Sequence, residues 1–317
     1  MGRVLITRVL PGGRDSLAVH DLVGPKPDDA PYTHDELLEL APSVDAIVSL
    51  LTDTIDASIL HAGAAGSLRL VANVAVGYNN IDTAAAADCG VLVANTPGVL
   101  DETTADTAFL LILAASRLAH KAEADLRAGA WPGWGINQYL GVDVHGATLG
   151  VVGYGRIGRA VARRALGFGM RVLHHARHDT AEPGFVADLD ELLERSDIVT
   201  LHTPLTPETT HLIDARRLGL IGPTGVLVNT ARGPVIDEAA LAEALHTGTI
   251  FAAGLDVYEE EPRVQPRLLT APRTVLLPHI GSGSLPTRQR MAAMACDAVA
   301  AMLRGEIPPN LVGPATI

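Results

Sequence analysis

The sequence predicts an α/β protein made of two doubly wound parallel-sheet domains. Three observations carry that prediction. The chain has 317 residues, the length of two domains of ~100–200 residues each. Short, near-continuous aliphatic runs alternate with helical patterns along it, as they do where parallel strands are buried on both faces. A glycine-rich turn, Gly153-Tyr154-Gly155-Arg156-Ile157-Gly158, stands between one such run and one such pattern.

In the first third of the chain, strands are read at 4–7, 46–51, 70–76 and 91–94, with helical patterns such as 33–40 between them. Residues 11–29, with their glycines and prolines, read as a loop. Asn95-Thr96-Pro97-Gly98 then breaks the pattern. Residues 101–128 read as one long helix. Its start is acidic (Asp101, Glu102, Asp106) and its end basic (Arg117, Lys121, Arg127), which complements the helix dipole. The centre of that helix, 108–115, is apolar all round. This predicts burial on every side, either inside one domain or against a second subunit.

Six more strands are read at 148–152, 171–175, 197–202, 225–229, 251–255 and 274–277, with helical patterns such as 156–166 and 237–245. They complete one doubly wound domain. The tail, 285–303, reads as a helix returning to the first domain. The predicted domains are therefore a discontinuous one, 1–98 plus 286–317, and a continuous one, 99–285.

Composition narrows the function classes. The 24 Lys and Arg against 36 Asp and Glu give a formal net charge of −12. No basic stripe exists to displace counterions from a nucleic-acid backbone, which argues against a nucleic-acid partner. Hydrophobic residues make up 48% of the chain and charged ones 19%, with mean hydropathy +0.24, a globular rather than disordered balance. The longest apolar run, 108–115, is far shorter than the ~20 residues that span a bilayer. The first apolar run is too short for a signal-peptide core. Two cysteines, Cys89 and Cys296, point to a reducing cytoplasm, one long-range disulfide being the alternative. No metal site is read.

In the glycine loop, a strand precedes and a helix follows. The first glycine permits the tight turn, the second lets a pyrophosphate approach the backbone, and the third lets helix and strand pack closely. Gly153, Gly155 and Gly158 take these places, and helix N-terminal N–H groups hold the phosphate. An acid commonly ends the next strand, about 20 residues on, to bind the adenosine ribose. Here that position is Ala176, followed by Arg177. With no carboxylate to repel a 2′-phosphate and an arginine to pair with one, the loop predicts NADP(H) in preference, with NAD(H) possible. A shifted register would instead make Asp179 the ribose ligand.

Three further segments follow strands of the same domain, where an open parallel sheet presents its ligands. They contain Arg232 in Asn229-Thr230-Ala231-Arg232-Gly233-Pro234, Glu261 in Glu259-Glu260-Glu261-Pro262 and His279 in Pro278-His279-Ile280-Gly281. Singly, these residues read as a surface cation, part of a solvated acidic run and a loop histidine. Together, on one nucleotide-binding sheet, they read as a catalytic set.

With these segments, and with Val76-Gly77-Tyr78-Asn79-Asn80-Ile81-Asp82 and Asn95-Thr96-Pro97-Gly98-Val99-Leu100, the sequence resembles the D-isomer-specific 2-hydroxyacid dehydrogenase family, most of all its glyoxylate/hydroxypyruvate reductase branch. The resemblance implies a flavodoxin-like substrate-binding domain and a Rossmann domain for NAD(P), with the active site in the cleft between them. It implies a homodimer formed largely through the helix at 101–128. By the same resemblance Arg232 holds the substrate carboxylate and carbonyl, His279 donates the proton, and Glu261 orients and charges the histidine. Val76 and Gly77 match the carboxylate-binding turn and Leu51 a pocket-lining position. Thr104, Arg156, Ile157, Thr203, Pro204, Ala231, Asp256 and Gly281 match cofactor positions, with Asp256 toward the nicotinamide carboxamide and Thr203-Pro204 beside the adenosine or ribose. Trp131 or Trp134 matches a tryptophan that closes the partner's substrate pocket; anchoring of their own loop is the other reading. One departure is Gly283-Ser284, where the family often has Ala-Thr.

The sequence thus predicts a cytoplasmic, NADPH-dependent reductase of small 2-oxo acids. Reduction of 2-ketogluconate on the same site is an alternative. So is a dinucleotide-sensing scaffold without turnover. A phosphoglycerate dehydrogenase fits less well, for want of the cofactor-strand acid and a regulatory domain. Formate-type enzymes have Gln where Glu261 stands.

Overall fold

The computed structural model of the chain describes residues 1–313. The chain forms two compact units: unit 1, Met1–Leu100 with the chain from Ser282 on, and unit 2, Asp101–Gly281.

Unit 1 contains β1 (Arg3–Ile6), β2 (Asp21–Val23), α1 (His34–Leu40), β3 (Ala46–Ser49), α2 (Ala57–Ala65), β4 (Leu70–Asn73), α3 (Thr83–Cys89) and β5 (Leu92–Ala94). The strands form one parallel sheet in the order β2-β1-β3-β4-β5. Side chains alternate across it. Leu5, Ile47, Val71 and Val93 join Leu37, Ile59, Leu60 and Ala86 from the three helices in one core. The other face receives the last helix of the molecule, Leu285–Leu303, which lies against β3 and β4. Its Met291, Ala292, Ala295, Cys296 and Val299 are buried. Local signals place the helix starts: Thr33 and Glu36 form a capping box, and Asp56 and Asp82 accept from first-turn N–H groups.

Unit 2 opens with α4 (Asp101–Ser116) and α5 (Ala119–Arg127). There follow β6 (Thr148–Val152), α6 (Arg156–Gly167), β7 (Arg171–His175), α7 (Leu189–Glu194), β8 (Ile198–Leu201), α8 (Ala215–Ile221), β9 (Val226–Asn229), α9 (Glu238–Thr247), β10 (Ala252–Leu255), α10 (Pro266–Leu269) and β11 (Thr274–Leu276). The helix Leu285–Leu303 that completes unit 1 is α11. All six strands pair in parallel, in the order β11-β10-β9-β8-β6-β7. One face packs Leu149, Val151, Ile198 and Val228 on α4 and α6. The other packs Val199, Leu201, Leu227 and Leu255 on α7, α8 and α9. The chain order reverses on either side of β6, so the ends of β6 and β8 flank the crevice that such sheets offer a ligand.

Two sequence expectations are corrected here. The loop read at 11–29 holds a 3-10 turn, Asp15–Leu17, and the edge strand β2. Three residues between prolines and glycines carry too short a pattern to show alternation, and pairing with β1 supplies what propensity does not. The single helix expected over 101–128 is two, broken at Leu118, whose φ is +51°. No Gly or Pro marks that break in the sequence. In α4, Ala108, Leu111, Ile112 and Ala115 are fully buried inside unit 2, while Leu110 is 51% exposed on the single chain. No helix among the described residues is long and apolar enough to cross a membrane.

Candidate active site

The dinucleotide loop emerges from β6, and each glycine has a separate steric reason. Gly153 has φ +93°, and a Cβ there would lie 2.6 Å from the His202 carbonyl carbon. At Gly158 it would lie 2.2 Å from the Gly153 oxygen, so the third glycine is what lets α6 close on the strand. At Gly155 a Cβ meets nothing within 4 Å, the open approach a pyrophosphate needs. Gly155 caps α6 without a side-chain hydrogen bond, leaving first-turn N–H groups beside Arg156 and Ile157 for an anion. The Thr203 and Thr230 hydroxyls are buried and lack a partner among the described residues. These features fit a nicotinamide dinucleotide.

Past β7, Ala176 is half-buried and Arg177 exposed. Asp179 spends one carboxylate oxygen on the Ala181 N–H, 2.8 Å away. The Thr206 hydroxyl, and after it the Arg177 charge, hold the Glu208 carboxyl below its usual range. A feature the sequence did not show lies next to the loop: the Tyr154 ring stacks on His174 at 3.7 Å, with the Arg159 guanidinium 4.6 Å from the Tyr154 centroid and ion-paired to Glu182.

The expected catalytic residues hang from the C-terminal ends of β9, β10 and β11. Asn229, closing β9, accepts from the Ala231 N–H at 2.9 Å and donates to the Arg232 carbonyl at 2.9 Å. That fixes the turn carrying Arg232, whose Nη1 donates to the Ala231 carbonyl at 2.6 Å. Burial lowers the Arg232 pKa, and the Glu261 carboxylate works against that shift. A Cβ at Gly233 would lie 1.8 Å from the Tyr258 carbonyl carbon, so the Arg232 turn packs directly on the segment leading to Glu261.

Glu261 has one carboxylate oxygen on the Tyr258 N–H at 3.0 Å and the other 2.7 Å from His279 Nδ1. Burial would raise its pKa; the hydrogen bond and charge of His279, the Tyr258 N–H and Arg232 together bring it below the ordinary value. An ionised Glu261 can only accept, so Nδ1 carries its proton and Nε2 is the atom available for chemistry. His279 sits at φ +54°, a region that β-carbon-bearing residues occupy at a cost. Its own N–H donates to the Asp256 carbonyl at 2.9 Å. The Asp256 carboxylate then accepts from the N–H groups of Ile280 and Gly281, both at 2.7 Å. A Cβ on Gly281 would lie 3.1 Å from that carboxylate and 3.5 Å from Thr104. Asp256, expected toward the nicotinamide carboxamide, also holds the histidine loop, a role that leaves no side-chain pattern to read.

In unit 1, Leu51 follows β3 and is 37% exposed. Val76 and Gly77 lie in the segment after β4, Val76 half-buried and Gly77 likewise. Trp131 and Trp134 are 47% and 80% exposed in unit 2. Among the described residues, no group of three or more His, Cys, Asp or Glu is placed to hold a metal ion.

The family model described as D-isomer specific 2-hydroxyacid dehydrogenase, NAD binding domain, matches residues 109–281. The chain is 48% identical to the glyoxylate reductase of Korarchaeum cryptofilum, over 98% of this chain and 95% of that one. Among solved structures it is similar to the TT0316 protein of Thermus thermophilus, with 42% identity, TM-score 0.88 and coverage of 98% and 100%. It also resembles an NADPH-dependent glyoxylate/hydroxypyruvate reductase of Sinorhizobium meliloti solved with citrate, with 34% identity, TM-score 0.86 and coverage of 100% and 99%.

The glycine geometry carries its own test. Gly155→Ala places its Cβ in open space, so unit 2 should keep its melting temperature. Dinucleotide affinity, followed by fluorescence titration, should fall at least about tenfold, because the side chain would occupy the approach of the pyrophosphate. Unchanged affinity would remove Gly155 from the binding surface.

Proposed function

The chain belongs to the D-isomer-specific 2-hydroxyacid dehydrogenase family, and we propose that it reduces glyoxylate and hydroxypyruvate to D-2-hydroxy acids with NADPH. It is a nicotinamide-dinucleotide oxidoreductase of that family. The observation that carries the proposal is the 2.7 Å contact between Glu261 and His279 Nδ1 on a loop set by Asp256. The names of similar proteins, glyoxylate reductase and NADPH-dependent glyoxylate/hydroxypyruvate reductase, support the substrate class.

The glycine loop would hold the dinucleotide, whose chemistry there would be hydride donation to the substrate's carbonyl carbon. Arg232 offers a planar fork of donors to the substrate carboxylate and carbonyl oxygen. His279 Nε2 gives its proton to the oxygen as negative charge develops there. Glu261 keeps the ring oriented through its contact with Nδ1. In unit 1, Val76 and Gly77 offer backbone N–H groups to the carboxylate and Leu51 an apolar contact. Thr104, Thr203, Pro204, Ala231 and Gly281 complete the proposed cofactor set with the glycine loop.

An assay of dinucleotide absorbance with glyoxylate, hydroxypyruvate and 2-ketogluconate, each with NADPH and NADH, tests this reading. Fast turnover of the two small acids is expected, and His279→Gln should lower kcat by about 10²–10⁴-fold with the dinucleotide still bound. Because the Glu261 pKa is depressed, the pair's contribution persists above the ordinary carboxylate value of ~4.3 and is lost only as pH falls through the lowered one. Silence on every 2-oxo acid, with dinucleotide bound, would overturn the enzyme reading in favour of a sensing scaffold.

Arg177, beside Ala176, supports the preference for NADPH. Arg177→Ala should weaken NADPH about tenfold, the worth of a charged hydrogen bond, and leave NADH nearly unchanged. Equal losses would sink the 2′-phosphate role.

Exposed apolar residues crowd one stretch of unit 2: Leu110, Leu126, Trp131, Trp134, Ile136 and Leu140 are 47–80% exposed. A second copy of the chain packing on the helices at 101–128 would cover such a surface. Light scattering should report twice the 33.1 kDa chain mass; a monomer at micromolar concentration would exclude the dimer.

A further inference from the structure

Unit 1 holds its two proposed substrate segments with asparagine side chains rather than with glycine. Asn80 donates both carboxamide hydrogens, to the Leu50 carbonyl at 3.0 Å and the Asp53 carbonyl at 2.9 Å. Its oxygen accepts from Asn73 Nδ2 at 3.1 Å, and the same nitrogen donates to the Gly77 carbonyl at 2.9 Å. Asn95 Nδ2 holds the Val76 carbonyl at 2.8 Å. The 50–53 turn is closed from within as well, since the buried Asp53 carboxylate accepts from the Leu50 N–H at 2.7 Å.

Pinning a carbonyl aims the N–H of the same peptide. In a trans peptide the two point in opposite directions, and none of these peptides is cis. Asn95, through the Val76 carbonyl, therefore sets the direction of the Gly77 N–H. Asn73, through the Gly77 carbonyl, sets that of Tyr78, and Asn80, through the Leu50 carbonyl, sets that of Leu51. The segments follow different strands, the paired β3 and β4, and Asn80 with Asn73 links them by side chains beside the Ser49–Asn73 bond at 3.2 Å.

We propose that Asn80 is a positioning residue for the substrate carboxylate, its carboxamide locking the turn at Leu51 and the turn at Val76-Gly77 into a single backbone cradle. The inference rests on the reading of those turns as substrate-binding. Asn80 need not touch the substrate; it acts by limiting how far the donors wander, and preorganisation of this kind tightens binding.

Asn80→Leu keeps the approximate side-chain shape and adds no charge. The expected result is a KM for glyoxylate raised about tenfold, with kcat at saturation within about threefold and NADPH affinity unchanged, as loss of orientation alone predicts. A merely structural Asn80 would lower the melting temperature or the active fraction and leave KM alone, and that result overturns the proposal. If Asn80→Leu does not fold, Asp53→Asn loosens the same turn and should raise KM about threefold; an unchanged KM there counts equally against it. Leu51→Trp, at an exposed position, separates the two levels. A KM raised by Leu51→Trp but not by the Asn80 or Asp53 variant refutes this inference alone. A KM moved by none of them refutes the substrate role of both turns.

Discussion

Much of unit 2 depends on one buried carboxylate. Asp256 is 1% exposed at the end of β10, and burial pushes its pKa up while the Ile280 and Gly281 N–H groups pull it down. A carboxylate there without those donors would be costly. With them, it bends the chain after β11 so sharply that His279 takes a left-handed backbone. The ring then meets Glu261, Glu261 meets the Tyr258 N–H, and Tyr258 packs on the Arg232 turn through Gly233. The strain at His279 is sustained because contacts on both sides over-determine the loop.

Two sheets of the same architecture solve one problem in opposite ways. Under the proposed function, each presents backbone N–H groups at the C-terminal ends of its strands. Unit 2 does so by subtraction: without a Cβ, Gly155 leaves room for a ligand and Gly158 lets the helix close in. Unit 1 does so by addition, spending Asn73, Asn80 and Asn95 on carbonyls so that the opposite faces of those peptides are aimed. The first arrangement suits a long, flexible polyanion. The second suits a small, planar one.

The legibility of these features in the sequence follows from their physics. β6, β7 and α11 are readable to the residue, because uniform periodicity fixes both ends. β2 and the break at Leu118 are not, since neither carries its own pattern: one depends on its neighbour strand, the other on a backbone angle no glycine announces. Arg232, Glu261 and His279 stand out because each follows a strand with a side chain suited to proton or carboxylate chemistry. What holds them is hidden. Backbone N–H groups look alike in any sequence, so the acceptors that engage them, Asp256 and Asn229, reveal their work only in three dimensions.

The return of the chain to unit 1 has a consequence for biosynthesis. β3 and β4 are made early, but the face bearing Val48 and Ala72 is covered by α11, whose residues 285–303 emerge only after all of unit 2. Domains commonly fold as units during translation. The inserted unit therefore has its whole chain before its host does, and the host's sheet waits at the ribosome with one greasy side bare.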